Sequence, residues 1–365
     1  MTNRVVKLDW LRALAILSVL AFHFFEGWLP GGWMGVDIFF VLSGYLACHF
    51  ISKNDDIKRF LVRRIFRIWF PMICFISLVL PLLSLVFFHS DYLGKLLKPS
   101  FAATVGASNF YFFLTENYFD NGLRQPLLHL WSLGIEIQFY IIFALGIYIL
   151  RKIKNPHFVF LMLFGSIFLL FFSISSQSNL EKFYFPQLRL LEFGVGCIAY
   201  MVEPFFIKKS KWLFLMSLIL IILYMIFLPF GFSQSVAIVC FLAFLSISVG
   251  DIFYTHLNPI IESIALRSYA LYLVHYPISF FAKILFPVGS LEYLSLFSLA
   301  ILLGCLFYRY FDKFIVERDI TTVFRSIRIR IAILFSLLIA VIMLAQAYKA
   351  DSSLYFKKHP RVRKI

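Results

Sequence analysis

The chain has 365 residues, of which 61% are hydrophobic and 47 are Phe, and its mean hydropathy is +0.88. That balance excludes a soluble globular domain, and it excludes a soluble domain with one anchor, because apolar runs long enough to cross a bilayer recur from end to end. The formal charge of +15 would suggest nucleic acid in a soluble chain; here it reads as the excess of Lys and Arg on the cytoplasmic side of a membrane protein, and no nucleic-acid partner is expected.

Eleven spans are predicted, at about 8–27, 33–52, 70–89, 128–150, 157–175, 187–203, 212–230, 233–250, 264–286, 291–311 and 329–348. The first is too long for the apolar core of a signal peptide and contains Arg12, so it is read as a retained span. Placing the N-terminus inside puts Arg4, Lys7, the run from Lys53 to Arg67, Arg151 to Lys154, Lys208 to Lys211, and Lys313 to Arg330 on the cytoplasmic face. The loop 90–127, with Lys95, Lys98 and Arg124, and the basic tail 349–365 are the exceptions to this rule. The expected fold is therefore all-α: a polytopic membrane protein of 10–11 transmembrane helices around a polar conduit. Ten spans make one membrane domain over 1–320, and 321–365 add a further span and a short basic tail. The loop 90–127 is the extramembrane segment large enough to fold over a site, and its 110–114 stretch is apolar enough to dip into the interface. The five cysteines lie in apolar segments without metal-ligand spacing, so inert thiols are expected, with no disulfide framework and no metal.

Ionisable side chains inside spans usually face the protein interior or a wet cavity. In LDWLRALAILSVLAFHF, Asp9 and Arg12 stand near one end and His23 near the other. Arg12 and His23 are about 16 Å apart along one helix face. The second span brings Asp37 and Ser43, after Gly31, Gly32 and Gly35, which would permit a tight turn. Arg64 and Arg67 share a helix face at the inner membrane boundary. With the adjacent Trp69 they suit a phosphate-bearing ligand with a stackable base, although membrane anchoring alone would also use such arginines. In the fourth span Ser132, Glu136 and Tyr140 recur at every fourth residue, a polar stripe expected to face a cavity. Trp131 opens that span, after His129. His275, followed by Pro277, lies toward the outer end of the ninth span, where a lone histidine is more often an interfacial or structural group than a catalytic one; Glu317 falls at the inner surface after the tenth.

These segments, in this order, resemble the acyltransferase 3 family of bacterial integral-membrane acyltransferases. The resemblance runs from about Leu8 to Asp319 and rests on LDWLRALAILSVLAFHF, GVDIFFVLSGYL, RRIFRIWFP, WSLGIEIQFY and SYALYLVHYPI. Trp10 stands where the family usually has glycine, Ile137 where a second glutamate is usual, and Arg318-Asp319 replaces a basic-Pro pair. The resemblance implies an enzyme of the bacterial inner membrane that moves an acetyl or other acyl group from cytoplasmic acetyl-CoA to a hydroxyl of an envelope glycan. The commonest family use makes the lipopolysaccharide O-antigen the favoured acceptor; peptidoglycan, exopolysaccharide or a small molecule are alternatives, and a non-enzymatic flippase or transporter is the rival class. Under this reading Arg64, Arg67 and Trp69 hold the acyl-CoA, and Arg12 sits along the conduit with Asp9. His23, whose type has an unperturbed pKa of about 6.5, acts as general base or carries the acyl group. Glu136 joins Arg12 and His23 in the catalytic set, while Asp37, Ser43, Trp131, Ser132, Tyr140, His275 and Glu317 orient His23 or shape the cavity. With no outer domain expected after the last span, acceptor recognition would fall to the spans and the loop 90–127.

Overall fold

The computed structural model describes residues 6–25, 27–54, 56–86, 90–115, 125–152, 183–206, 210–227, 231–248 and 257–313. Among them the regular structure is helical, with no strand. In chain order the helices are α1 (Val6–Phe24), α2 (Gly35–Asn54), α3 (Ile57–Val86), α4 (Ser90–Thr104) and α5 (Ser108–Thr115), then α6 (Trp131–Lys152), α7 (Pro186–Val202), α8 (Lys211–Phe227), α9 (Phe232–Ser248), α10 (Asn258–Leu285) and α11 (Leu291–Phe307). Single 3₁₀ turns at Gly32–Met34 and Leu128–Leu130 lead into α2 and α6, and a π-turn at Tyr308–Asp312 extends α11. The expected all-α membrane fold is present. Among the described residues four stretches are long and apolar enough to cross a membrane: Gly32–Lys53, Ile57–Leu83, Leu128–Lys152 and Leu291–Asp312. The remaining predicted spans do not reach that length and apolarity among the described residues. α1 carries Lys7, Asp9 and Arg12; α10 interleaves Tyr, His and Pro with its apolar residues; α7, α8 and α9 have 17 residues each. The predicted spans 157–175 and 329–348 and Glu317 lie outside the described residues.

The third span differs from its predicted bounds. α3 is one helix of 30 residues that runs through Pro71 and Pro81. At 1.5 Å per residue it is about 45 Å long, more than the thickness of a hydrocarbon core of about 30 Å. Arg64 and Arg67 ride on the same helix as the span. Prolines of this kind are tolerated in packed spans; the Tyr269 hydroxyl ties α10 to this part of α3 by donating to the Ile68 carbonyl at 2.6 Å.

The helices pack as α1 against α2 and α10, α2 against α7, α3 against α6, and α10 against α11. The α2–α7 crossing is close because it is made at two glycines. A Cβ on Gly44 would meet the Phe193 main chain, and one on Gly196 would meet the Val41 main chain. The glycines before α2 answer a similar need. Gly31 lies against the Met225 backbone and donates its N–H to the Met225 carbonyl at 2.7 Å, while Gly35 lies against Ala15 and Ser18. Space for close approach, rather than a left-handed turn, is what they supply. The predicted loop 90–127 contains α4 and α5. α5 is docked: Ser108 Oγ donates to Leu130 O at 2.7 Å, Asn109 Nδ2 donates to Tyr184 O at 3.1 Å, and Phe110 and Phe113 meet Phe185 edge-on.

Candidate active site

The polar stripe of α6 faces inward, as its spacing predicts. A cavity of about 110 Å³ is lined by Arg12 of α1, Ser43 of α2, Arg64 and Arg67 of α3, Ser132, Glu136 and Tyr140 of α6, and Ser268, Tyr269 and Tyr272 of α10, with Phe39, Phe40 and Leu42 among its apolar walls. Glu136 organises one side of it. Its Oε1 accepts from Ser43 Oγ at 2.6 Å and from the Tyr140 hydroxyl at 2.8 Å, tying α2 to α6. Arg64 donates from Nη2 to the Leu46 carbonyl at 3.0 Å and lies 5.7 Å from the Tyr140 ring centroid. Arg12 has a charge partner in Asp9 at 3.6 Å, one turn back on the same helix. A pocket with three guanidiniums and one carboxylate on its wall is built for an anionic group: arginine offers paired donors in the geometry that phosphate oxygens accept.

His23 is buried beside α10, in a cluster of rings. Its ring centroid lies 5.3 Å from that of His275 and 4.9 Å from that of Tyr276. His129, which precedes α6, stacks on Tyr276 at 5.1 Å and lies 5.8 Å from His275. The local sequence explains how His129 is held. Pro277 has no N–H, so the carbonyl four residues earlier, Leu273 O, loses its helical partner. His129 Nε2 takes that place, 3.0 Å from Leu273 O, as donor. The Tyr272 hydroxyl donates to His129 O at 2.7 Å and lies 2.7 Å from Ser132 Oγ. Because Ser132 and Tyr272 also line the cavity, the histidine cluster and the cavity share a wall.

A third constellation escapes sequence reading. Arg189 and Glu192 of α7 are buried with Asp37 of α2. Arg189 Nη1 lies 2.7 Å from Asp37 Oδ1 and 2.7 Å from Glu192 Oε1, and its Nε donates to Phe183 O at 2.9 Å. The guanidinium is caged by Trp131, Phe183 and Phe232 at 5.3, 5.0 and 5.3 Å from their ring centroids. The signal was available: an arginine and a glutamate three apart inside the predicted span 187–203.

Some expected site residues are accordingly placed elsewhere. Asp37 is engaged by Arg189 instead of orienting His23, and Trp131 belongs to the Arg189 cage instead of the cavity wall. Trp69 donates its indole N–H to Thr104 O at 2.7 Å and is absent from the cavity lining, because two residues' rotation from Arg67 along α3, about 200°, turns it toward α4. Arg12, Ser43, Arg64, Arg67, Ser132, Glu136 and Tyr140 come together as one site; His23 and His275 come together as a second, and Asp9 supports Arg12. The five cysteines are free. No group of three or more metal-ligating side chains occurs among the described residues.

Comparison with known proteins adds to this geometry. The sequence model of a family described as an acyltransferase domain matches residues 5–309. The peptidoglycan O-acetyltransferase OatA of Listeria monocytogenes is 33% identical over 307 residues, which is 75% of this chain and 49% of that protein. The O-acetyltransferase OatA of Staphylococcus aureus is 29% identical over 342 residues, 84% of this chain and 56% of that protein. The chain spans about half the length of the curated relatives it matches. No solved structure matches.

Proposed function

We propose, from the premise that this chain belongs to the acyltransferase domain family, that it O-acetylates an envelope glycan. The donor in this reading is a cytoplasmic acyl-CoA and the acceptor hydroxyl is on peptidoglycan. The sequence alone favoured the O-antigen as acceptor; the printed activity of the Listeria relative moves the weight to peptidoglycan. The observation that carries the reading is the cavity itself, which gathers Arg12, Arg64 and Arg67 with Glu136 from four separate helices. Family membership weighs against the transporter alternative.

The division of labour follows from residue chemistry. Arg64 and Arg67, at the face richest in Lys and Arg, bind the CoA phosphates, with the N-terminus on the cytoplasmic side and the chain passing the inner membrane several times. Arg12 meets the donor further along the conduit, pairing with Asp9 or with the pantetheine carbonyls. Glu136, pinned by Ser43 and Tyr140, fixes the α2–α6 wall against which the donor lies. His23 removes the proton from the acceptor hydroxyl as its oxygen attacks the acyl carbon; the carbon–sulfur bond breaks, and the thiolate leaves and takes up the proton. A positioned base of this kind contributes about 10²–10⁴ in rate.

The test is mass spectrometry and proton NMR of envelope glycans from cells with and without the chain, before and after mild alkali. An alkali-labile acetyl group on peptidoglycan that depends on the chain, and that is lost in His23→Ala at wild-type protein level, is the expected result. Acetylation confined to another glycan would replace the acceptor; wild-type acetylation in His23→Ala would remove His23 from the chemistry.

A further inference from the structure

With Trp69 turned to Thr104, the base of a nucleotide held by Arg64 has to find a ring elsewhere. The end of α2 that carries Lys53, read as cytoplasmic, provides one. Tyr45, His49 and Lys53 recur at every fourth residue and so share a face of the helix. Tyr45 and His49 lie near parallel, with 13° between their planes and 6.2 Å between centroids. Tyr200 of α7 meets both edge-on, 5.4 Å from Tyr45 and 5.7 Å from His49. The rings are braced by polar contacts. The Tyr45 hydroxyl donates to Glu203 Oε2 at 2.6 Å, Glu203 is ion-paired with Lys7, and the Tyr200 hydroxyl is hydrogen-bonded to Ser52 Oγ. Tyr45 is buried, whereas His49 and Tyr200 each keep part of their surface open.

This cluster stands beside the donor cavity. Arg64 Nη2 is bonded to Leu46 O, and Leu46 and Arg64 both line the cavity. His49 follows Leu46 by three residues, about 4.5 Å along the helix axis and about 60° around it. A helical carbonyl points along the axis toward the C-terminus, so the guanidinium sits on the side of Leu46 where His49 lies. We propose that His49 and Tyr200 form the platform on which the adenine of the CoA donor stacks, with Arg64 on the adjoining diphosphate and Lys53 at the ribose 3′-phosphate. A base stacks on an aromatic face without needing a matched hydrogen-bond pattern. Lys53, one turn beyond His49, supplies a point charge of the kind that phosphate accepts. Packing accounts for the buried Tyr45. It does not account for two partly open rings held in place next to the arginine that the donor's phosphates would meet. This inference rests on the acyl-CoA donor proposed above.

Two measurements on the full chain in lipid nanodiscs test it. The first is photolabelling with the 8-azidoadenosine analogue of CoA, which needs no acceptor, followed by peptide mass spectrometry. The expected result is label on the peptides that carry His49 and Tyr200, suppressed by excess CoA. The second uses acetyl-CoA and a peptidoglycan disaccharide as probes. His49→Ala is expected to raise the KM for acetyl-CoA about tenfold with kcat within twofold, the effect of losing one base–ring stack. His49→Phe, which keeps a ring, is expected to stay within threefold of the wild-type KM. An unchanged KM in His49→Ala, or an equal rise in both variants, overturns the proposal. Label confined to other segments while acetyl transfer proceeds also overturns it, and leaves the CoA donor standing. No CoA-suppressed label together with no transfer from acetyl-CoA overturns both. Label at His49 and Tyr200 without transfer supports the platform and counts against the proposed activity.

Discussion

Arg189→Met separates the charge network from the packing around it. The guanidinium is 1% exposed and holds two carboxylates, Asp37 and Glu192, each at 2.7 Å, while three aromatic rings surround it. Removing the cation leaves both carboxylates buried with no counter-charge. Breaking a buried pair by deleting one partner costs about 3–5 kcal/mol, because the other partner keeps its desolvation penalty. Methionine fills much of the arginine's volume, so a cavity adds little. Asp37→Asn should cost less, about 1.5–3 kcal/mol, the value of one hydrogen bond to a charged group. The triple variant Arg189→Met, Asp37→Leu, Glu192→Leu removes the stranded charges and should recover a large part of the Arg189→Met loss. The assay is thermal unfolding of each purified variant in one detergent, read by the monodisperse fraction remaining in size-exclusion chromatography. An Arg189→Met midpoint equal to the wild type, or a triple variant worse than the single, would refute the argument that the network is held by mutual neutralisation.

Three further outcomes are expected. Gly44→Ala places a methyl group against the Phe193 main chain, where no side chain can move aside, and should cost about 1–3 kcal/mol in the same unfolding assay; an unchanged midpoint would mean that the α2–α7 crossing is loose. Arg64→Ala with Arg67→Ala should raise the KM for acetyl-CoA by about tenfold or more, since each 1.4 kcal/mol of lost binding is a factor of ten; an unchanged KM removes the phosphate assignment. Trp69→Phe gives up the bond to Thr104 O, about 0.5–1.5 kcal/mol of stability, and should leave that KM unchanged; a tenfold rise would restore the base-stacking role that its neighbourhood to Arg67 suggests.

Much of the cavity was legible in the sequence because its residues recur at helical spacing within single helices. Ser132, Glu136 and Tyr140 share a face whatever α6 packs against, and glutamate in an apolar helix requires partners, which turned out to be Ser43 and Tyr140. Arg64 and Arg67 likewise follow from one helix. Trp69 was misplaced for the same reason in reverse: adjacency in sequence is not a shared face, and its indole turns to Thr104.

By itself the sequence determined the helical membrane class, the inward stripe of α6 and the family, since each depends on composition, period or motif order along one chain. The tertiary structure alone decided which ionisable groups meet. Asp37 pairs with Arg189, 152 positions away, and His129 reaches the carbonyl that Pro277 leaves open on α10. Such pairings depend on the relative depth and rotation of separate helices. Those are set by side-chain volume at crossings such as Gly44 and Gly196, and no periodicity within one helix encodes them.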